Sequence, residues 1–444
     1  MGYFGKLREK QSRFYRRLWQ ELEEIKVIDT HEHISSMPIL KEDHKINLNE
    51  EKPIPIPGLF QSSYIKGMSK NGDYKKWARE LLRFRGTGYL RAWLIALEDL
   101  YDIEPTINPN FVKEVNEKVN HAYRDDLEHN THHHITEVMD KMNVEYAINN
   151  IGIDEHLRLP QPRFKGAAGI PSILEGMKVP SDSSKSGKAV YWFAKEKLGM
   201  NYSDIQTLED YCEVTDKLLA YFRDSGNYIC YKTQMAYNRP LWFPEPDDNE
   251  EKYENMFNTY PRHEEQAWEF GTYMFHHILE WAAFEWNVPF QIHTGLARIY
   301  DGGSNALNLS HLMIKFPDIH FDLFHGNYPY DNLPGMLHQI YNISADLCWL
   351  PAISPIAAQG TLTEIFEVGD MVAERKYHQP SLRTCLYGGD SRVIEGSYGA
   401  LQIAKDVLIR SLEDLYERGH IMEMDAIDLA ENVLYNNPKR IFNL

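Results

Sequence analysis

Residues 29–33 read Asp29-Thr30-His31-Glu32-His33 and close an apolar, β-branched run of strand length. In a strand, residues two apart share a face, so His31 and His33 point the same way and Glu32 points the opposite way. Three further stretches end alike: Gln291-Ile292-His293-Thr294-Gly295, Leu323-Phe324-His325-Gly326 and Tyr387-Gly388-Gly389-Asp390. Each puts a metal-capable side chain at the C-terminal end of an apolar run. Strands whose ends converge can hold a cation between them.

Working outward, eight such runs occur, over 26–34, 144–152, 166–174, 228–237, 289–295, 320–326, 343–350 and 384–390. Helical patterns separate most of them. Leu208, Tyr211, Val214, Leu218 and Phe222 recur at helical spacing over 203–225, and Gly226 ends that helix. Other helices are expected over 8–24, 263–286, 305–316, 397–418 and 425–436. Strands alternating with helices imply a parallel sheet, and eight units imply a (β/α)8 barrel. The rival is an open doubly wound sheet, but no GxGxxG loop opens an early helix. Residues 35–140 carry no clear strand and read as a mostly helical insertion after strand 1, within a single barrel spanning 1–444. The triplet His132-His133-His134 follows a helix and is expected to be a solvated or interface segment.

Composition narrows the classes. The chain has 444 residues, 43% of them hydrophobic, which is ample for a large core, and a net charge of −18. A nucleic-acid binder needs a basic stripe, and none appears. No run of about 18 apolar residues suggests a membrane span. The charged start lacks the apolar segment of a signal peptide, so a cytoplasmic protein is expected. Cys212, Cys230, Cys348 and Cys385 form no CxxC pair, which removes a zinc ribbon and a dithiol redox motif.

In (β/α)8 enzymes the active site lies at the C-terminal ends of the strands. The candidate metal ligands stand there: His31 and His33 on strand 1, His293 on strand 5 and Asp390 on strand 8. Neutral imidazoles with a carboxylate suit zinc, or manganese. Asp390 can also accept a proton, and His325 can join the ligands or steady charge on a substrate oxygen. A single HxH is common packing chemistry, whereas four such ends in barrel order are not required by packing. Lys232 on strand 4 is a candidate charge for a substrate carboxylate or carbonyl, with Tyr237 and Arg239 at the pocket rim. Arg298, in the loop after strand 5, and Arg392, after Asp390, are candidate substrate contacts, the latter as an anion clamp.

This order of motifs resembles the amidohydrolase superfamily, with HxH after strand 1, His after strands 5 and 6 and Asp after strand 8. More narrowly, Tyr231-Lys232-Thr233-Gln234-Met235-Ala236-Tyr237-Asn238-Arg239, Pro289-Phe290-Gln291-Ile292-His293 and Leu323-Phe324-His325-Gly326-Asn327-Tyr328-Pro329-Tyr330 resemble the nodulin-related branch, whose domain is also found fused to glutamine synthetase. The insertion after strand 1 is similar to that of the uronate isomerases in the same superfamily. The resemblance implies a divalent-metal hydrolase that cleaves an amide, lactone or ester of a small carboxylated substrate. Non-oxidative decarboxylation and uronate isomerisation use a similar site. The resemblance also implies that Lys232 either holds substrate or, carboxylated, bridges two metals. A non-catalytic metal-containing interaction protein is the reading from another class. A small-molecule substrate and self-association of identical chains are the expected partners.

Overall fold

The computed structural model describes residues 2–36, 65, 68–69, 73–174, 188–259, 264–369 and 382–444. Eight parallel strands run in the order β1 to β8: β1 (Val27–Glu32), β2 (Val144–Asn149), β3 (Phe164–Gly169), β4 (Tyr228–Thr233), β5 (Phe290–His293), β6 (Phe321–Phe324), β7 (Ile343–Asp346) and β8 (Thr384–Cys385). With the intervening helices this is the expected (β/α)8 barrel. All six residues of β1 and all four of β5, β6 and β7 are buried, as strands covered on both faces must be.

The chain divides into two compact units. The first is Met1–Lys165 with Asp346–Phe442, and the second is Gly166–Ala345. In the first unit the segment that follows β8 returns to β1. Thr30 N donates to Tyr387 O at 3.1 Å, Asp390 N to His31 O at 2.9 Å and His33 N to Ser391 O at 3.1 Å. The helix Ile394–Glu417 follows, buried along most of its length, and packs against Gly88–Tyr101. Gly399 makes that approach possible, because a Cβ there would overlap the Ala92 carbonyl. In the second unit β4, β5 and β6 pair in register, with Lys232 opposite Gln291 and Gln291 opposite Asp322.

Strand ends differ from the sequence reading for local reasons. The run 384–390 is a strand only over Thr384–Cys385. Leu386 N bonds to Val433 O in the C-terminal helical segment instead of to a neighbouring strand, and Asp390 then takes a left-handed φ of 42°. The run 228–237 stops at Thr233 and enters a tight turn, Met235–Tyr237. The run 166–174 begins at Phe164 and yields to a short helix at Pro171, where a proline favours a first helical turn.

Within 35–140, residues 37–64, 66–67 and 70–72 lie outside the described residues. The rest holds the helices Tyr74–Leu81, Gly88–Tyr101, Pro109–His129 and His133–Met142. The His132–His134 triplet opens the last of these and is not simply solvated. The His134 side chain is 10% exposed, and its Nε2 lies 3.0 Å from Glu395 Oε1 and 2.9 Å from Tyr101 Oη. Tyr123 also donates to this buried carboxylate, at 3.0 Å. Among the described residues no helix is long and apolar enough to cross a membrane.

Candidate metal centre

The first unit gathers His31, His33 and Asp390. Strand alternation sets the two imidazoles side by side, with Nε2 atoms 3.2 Å apart and rings nearly perpendicular. His33 Nδ1 lies 2.5 Å from the Asn150 carbonyl. Such a contact holds the proton on Nδ1 and turns the Nε2 lone pair inward, the usual arrangement behind a metal-ligating histidine. Asp390 Oδ1 stands 3.3 Å from His33 Nε2 and 3.9 Å from His31 Nε2. The three donor atoms all lie within 4.8 Å of one another. Two imidazoles on one tetrahedral zinc, at about 2.0–2.1 Å each, hold their nitrogens about 3.4 Å apart. The donor set therefore fits a divalent cation in both type and spacing.

Main-chain geometry makes this corner specific. Asp390 has φ 42°, in the left-handed region that non-glycine residues enter rarely, and Gly388 and Gly389 precede it. Behind the ligands lie two buried acids that the sequence reading did not assign to the site. Asp29 accepts from His31 N at 3.2 Å and from Gly389 N at 3.1 Å. Glu32 accepts from Ser391 N at 2.9 Å and from Ser397 Oγ. Burial raises both carboxyl groups, and their mutual proximity adds to the rise at Glu32. Their only sequence signal is two acids in a strand that is buried throughout, a pattern that covered parallel strands rarely carry without partners.

The second unit carries the other candidates. His293 ends β5, 5% exposed, and its ring centroid lies 4.4 Å from those of Tyr237 and His325. His325 follows β6 with φ 70° and is 4% exposed. Tyr237 is 46% exposed. Lys232 is buried, with its ammonium 4.0 Å from the centre of the Phe324 ring. In the same layer Asp322 accepts from Gln291 at 3.2 Å and from Ser344 at 2.5 Å. Burial lifts Asp322 to about 6 even though these donors and the Lys232 charge oppose the rise.

The three arginines are placed differently. Arg239 is buried. It donates to the carbonyls of Pro240 at 3.2 Å, Trp242 at 2.8 Å and Trp268, and to Thr272 Oγ1 at 2.9 Å. Arg298 binds Asp301 Oδ2 through Nε at 3.1 Å and Nη2 at 2.7 Å, and also reaches the Asn238 carbonyl. Arg392 is exposed, and its carbonyl accepts from Ser35 N.

No family model matches the chain. Over 163 residues it is 29% identical to protein fluG of Emericella nidulans, a match that covers 36% of this chain and 18% of that protein. Three solved structures are similar along nearly their whole length. A uronate isomerase from Thermotoga maritima has a TM-score of 0.68 at 16% identity, covering 97% of this chain and 98% of that one. A glucuronate isomerase from Caulobacter crescentus has a TM-score of 0.69 at 15% identity, covering 100% and 97%. A Lactobacillus casei protein provisionally assigned as a metal-dependent hydrolase has a TM-score of 0.62 at 14% identity, covering 96% and 97%. At these identities the likeness is one of fold, and that fold is the (β/α)8 barrel.

Proposed function

We propose that this chain is a divalent-metal hydrolase, cleaving an amide, lactone or ester in a small carboxylated substrate. The observation that carries the reading is the convergence of His31, His33 and Asp390, with His33 turned inward by its contact with Asn150 O. In this proposal His31, His33 and Asp390 hold the cation, zinc before manganese, and His293 is the further ligand that the order of motifs in the sequence implies. The cation, when bound, supplies an activated water and polarises the scissile carbonyl. Asp390 takes the water's proton and returns it to the leaving group. His325 donates to the developing oxyanion. Lys232, a cation in a buried layer, orients the substrate's carbonyl or carboxylate, and Tyr237 with Arg298 and Arg392 shapes the approach.

A second reading is aldose–ketose isomerisation of a uronate. It is favoured by the nearly full-length likeness to two uronate-class isomerases. One experiment separates the two. Zinc- or manganese-loaded protein is assayed against lactones, N-acyl amino acids, hydroxybenzoates and uronates, with ion content measured in parallel. Hydrolysis lost in His31→Ala together with the ion supports the first reading. Ketose formation from a uronate replaces it with the second. Turnover that persists in ion-free protein overturns both.

A further inference from the structure

We propose that Glu32 is a positioning residue for the cation site. Its buried carboxyl group brackets the loop that carries Asp390 and so sets where the Asp390 carboxylate stands relative to His31 and His33. The inference rests on the reading of those three residues as cation ligands.

Alternation along β1 sends the Glu32 side chain away from the two histidines, into a position that a covered parallel strand ordinarily fills with an apolar residue. Burying a carboxyl group without compensation is expensive. Here the compensation comes from the loop itself. One oxygen accepts from the amide of Ser391, the residue after Asp390, at 2.9 Å. The other accepts from Ser397 Oγ, in the first turn of the helix Ile394–Glu417. The two partners lie 359 and 365 residues away along the chain, so neither bond is a by-product of local structure.

The loop needs such a fixture. Asp390 holds a left-handed φ of 42°, which costs a non-glycine residue on the order of 1–2 kcal/mol. It also follows two glycines, which leave the approach to it permissive. The carboxyl group packs against the bare face of Gly389, where a Cβ would collide with Glu32 Oε1 and Ser397 Oγ. An apolar residue at position 32 would leave the Ser391 amide without this acceptor and the loop without its outer tie. The side chain between the two ligands thus acts on the third.

The test is cation affinity, read by calorimetry with Zn²⁺ and by the visible absorption of bound Co²⁺. Glu32→Ala is expected to weaken both ions about 10–100-fold, as loss of an outer partner does at metal sites, and to change the Co²⁺ spectrum. Glu32→Gln keeps an oxygen for Ser391 N and offers an amide to Ser397 Oγ, so it should stay within about threefold of the parent. A Glu32→Ala protein that binds both ions with parental affinity and spectrum overturns the proposal. Should Glu32→Ala fail to fold by circular dichroism, Ser397→Ala decides. Loss of one bracket bond predicts an affinity loss of about fivefold, and unchanged affinity overturns the proposal. His33→Ala is the reference for the ligands. If the parent protein binds neither ion, or binds them equally after His33→Ala, the ligand reading fails and this inference fails with it. Binding that is lost in His33→Ala but untouched in Glu32→Ala removes only the role of Glu32.

Discussion

Asp390 and His31 are joined twice: the Asp390 amide donates to the His31 carbonyl at 2.9 Å, and Asp390 Oδ1 stands 3.9 Å from His31 Nε2. The first link belongs to the fold and the second to the candidate cation site. They can therefore be separated by substitution. Asp390→Asn leaves the main-chain bond in place, so its melting temperature should stay within a few degrees of the parent in ion-free buffer. Its ion affinity should fall at least tenfold. Turnover, once a substrate is in hand, should fall about 10²–10⁴-fold with the loss of a proton acceptor. Differential scanning calorimetry and elemental analysis check the first two outcomes.

Gly389→Ala should damage the same corner by a different route. The added methyl meets the Glu32 carboxyl group and Ser397 Oγ in a space with no slack. Overpacking of this kind typically costs about 1–3 kcal/mol. Urea denaturation should show that loss, and ion affinity should fall with it because the loop carrying Asp390 is displaced. The neighbouring change Ser391→Ala keeps the amide that Glu32 binds and should be milder on both measures.

Arg239 is expected to matter for stability more than for substrate. Its guanidinium serves three carbonyls and the Thr272 hydroxyl, and burial alone pulls its pKa down to about 9. Arg239→Met strands those acceptors, at about 1–3 kcal/mol for each buried group left unsatisfied. Urea midpoints should drop accordingly while ion content stays unchanged. A raised KM with unaltered stability would instead place Arg239 among the substrate contacts.

The barrel was legible because covered strands are apolar runs and the helices between them keep helical spacing. His31 and His33 were legible because a two-residue period is the shortest pattern in a chain. What escaped the sequence is non-local. The shortness of β8 depends on Leu386 finding Val433, and the importance of Glu32 depends on Ser391 and Ser397. The His134 environment depends on Asp126, which receives the amides of His133 and His134, and on Glu395. Each of these is a polar group whose partner is set by the fold and not by its neighbours in sequence. Arg239 illustrates the same limit, since an arginine in the loop after β4 has the same local pattern whether it faces ligand or carbonyls.

His156 should give the protein an acid-labile component. It is buried, and desolvation pushes its pKa down to about 4, against about 6.5 in an unfolded chain. The folded state holds this imidazole neutral while the unfolded state takes up a proton below about pH 6.5. The contribution is therefore absent above pH 6.5 and destabilises progressively as pH falls towards 4, by on the order of 1–3 kcal/mol. His156→Phe should flatten that limb, so the stability difference between variant and parent should shift in the variant's favour between pH 7 and 4.

The bracket between Glu32 and Ser391 closes a loop of 359 residues, and His31, His33 and Asp390 sit at its two ends. No fragment from either end alone contains the donor set. Contacts of such long range form late, because the intervening chain must be ordered before they repay the entropy of closure. Ion capture at these donors should therefore lag secondary structure during refolding. The stopped-flow appearance of the Co²⁺ spectrum would time the completion of the barrel.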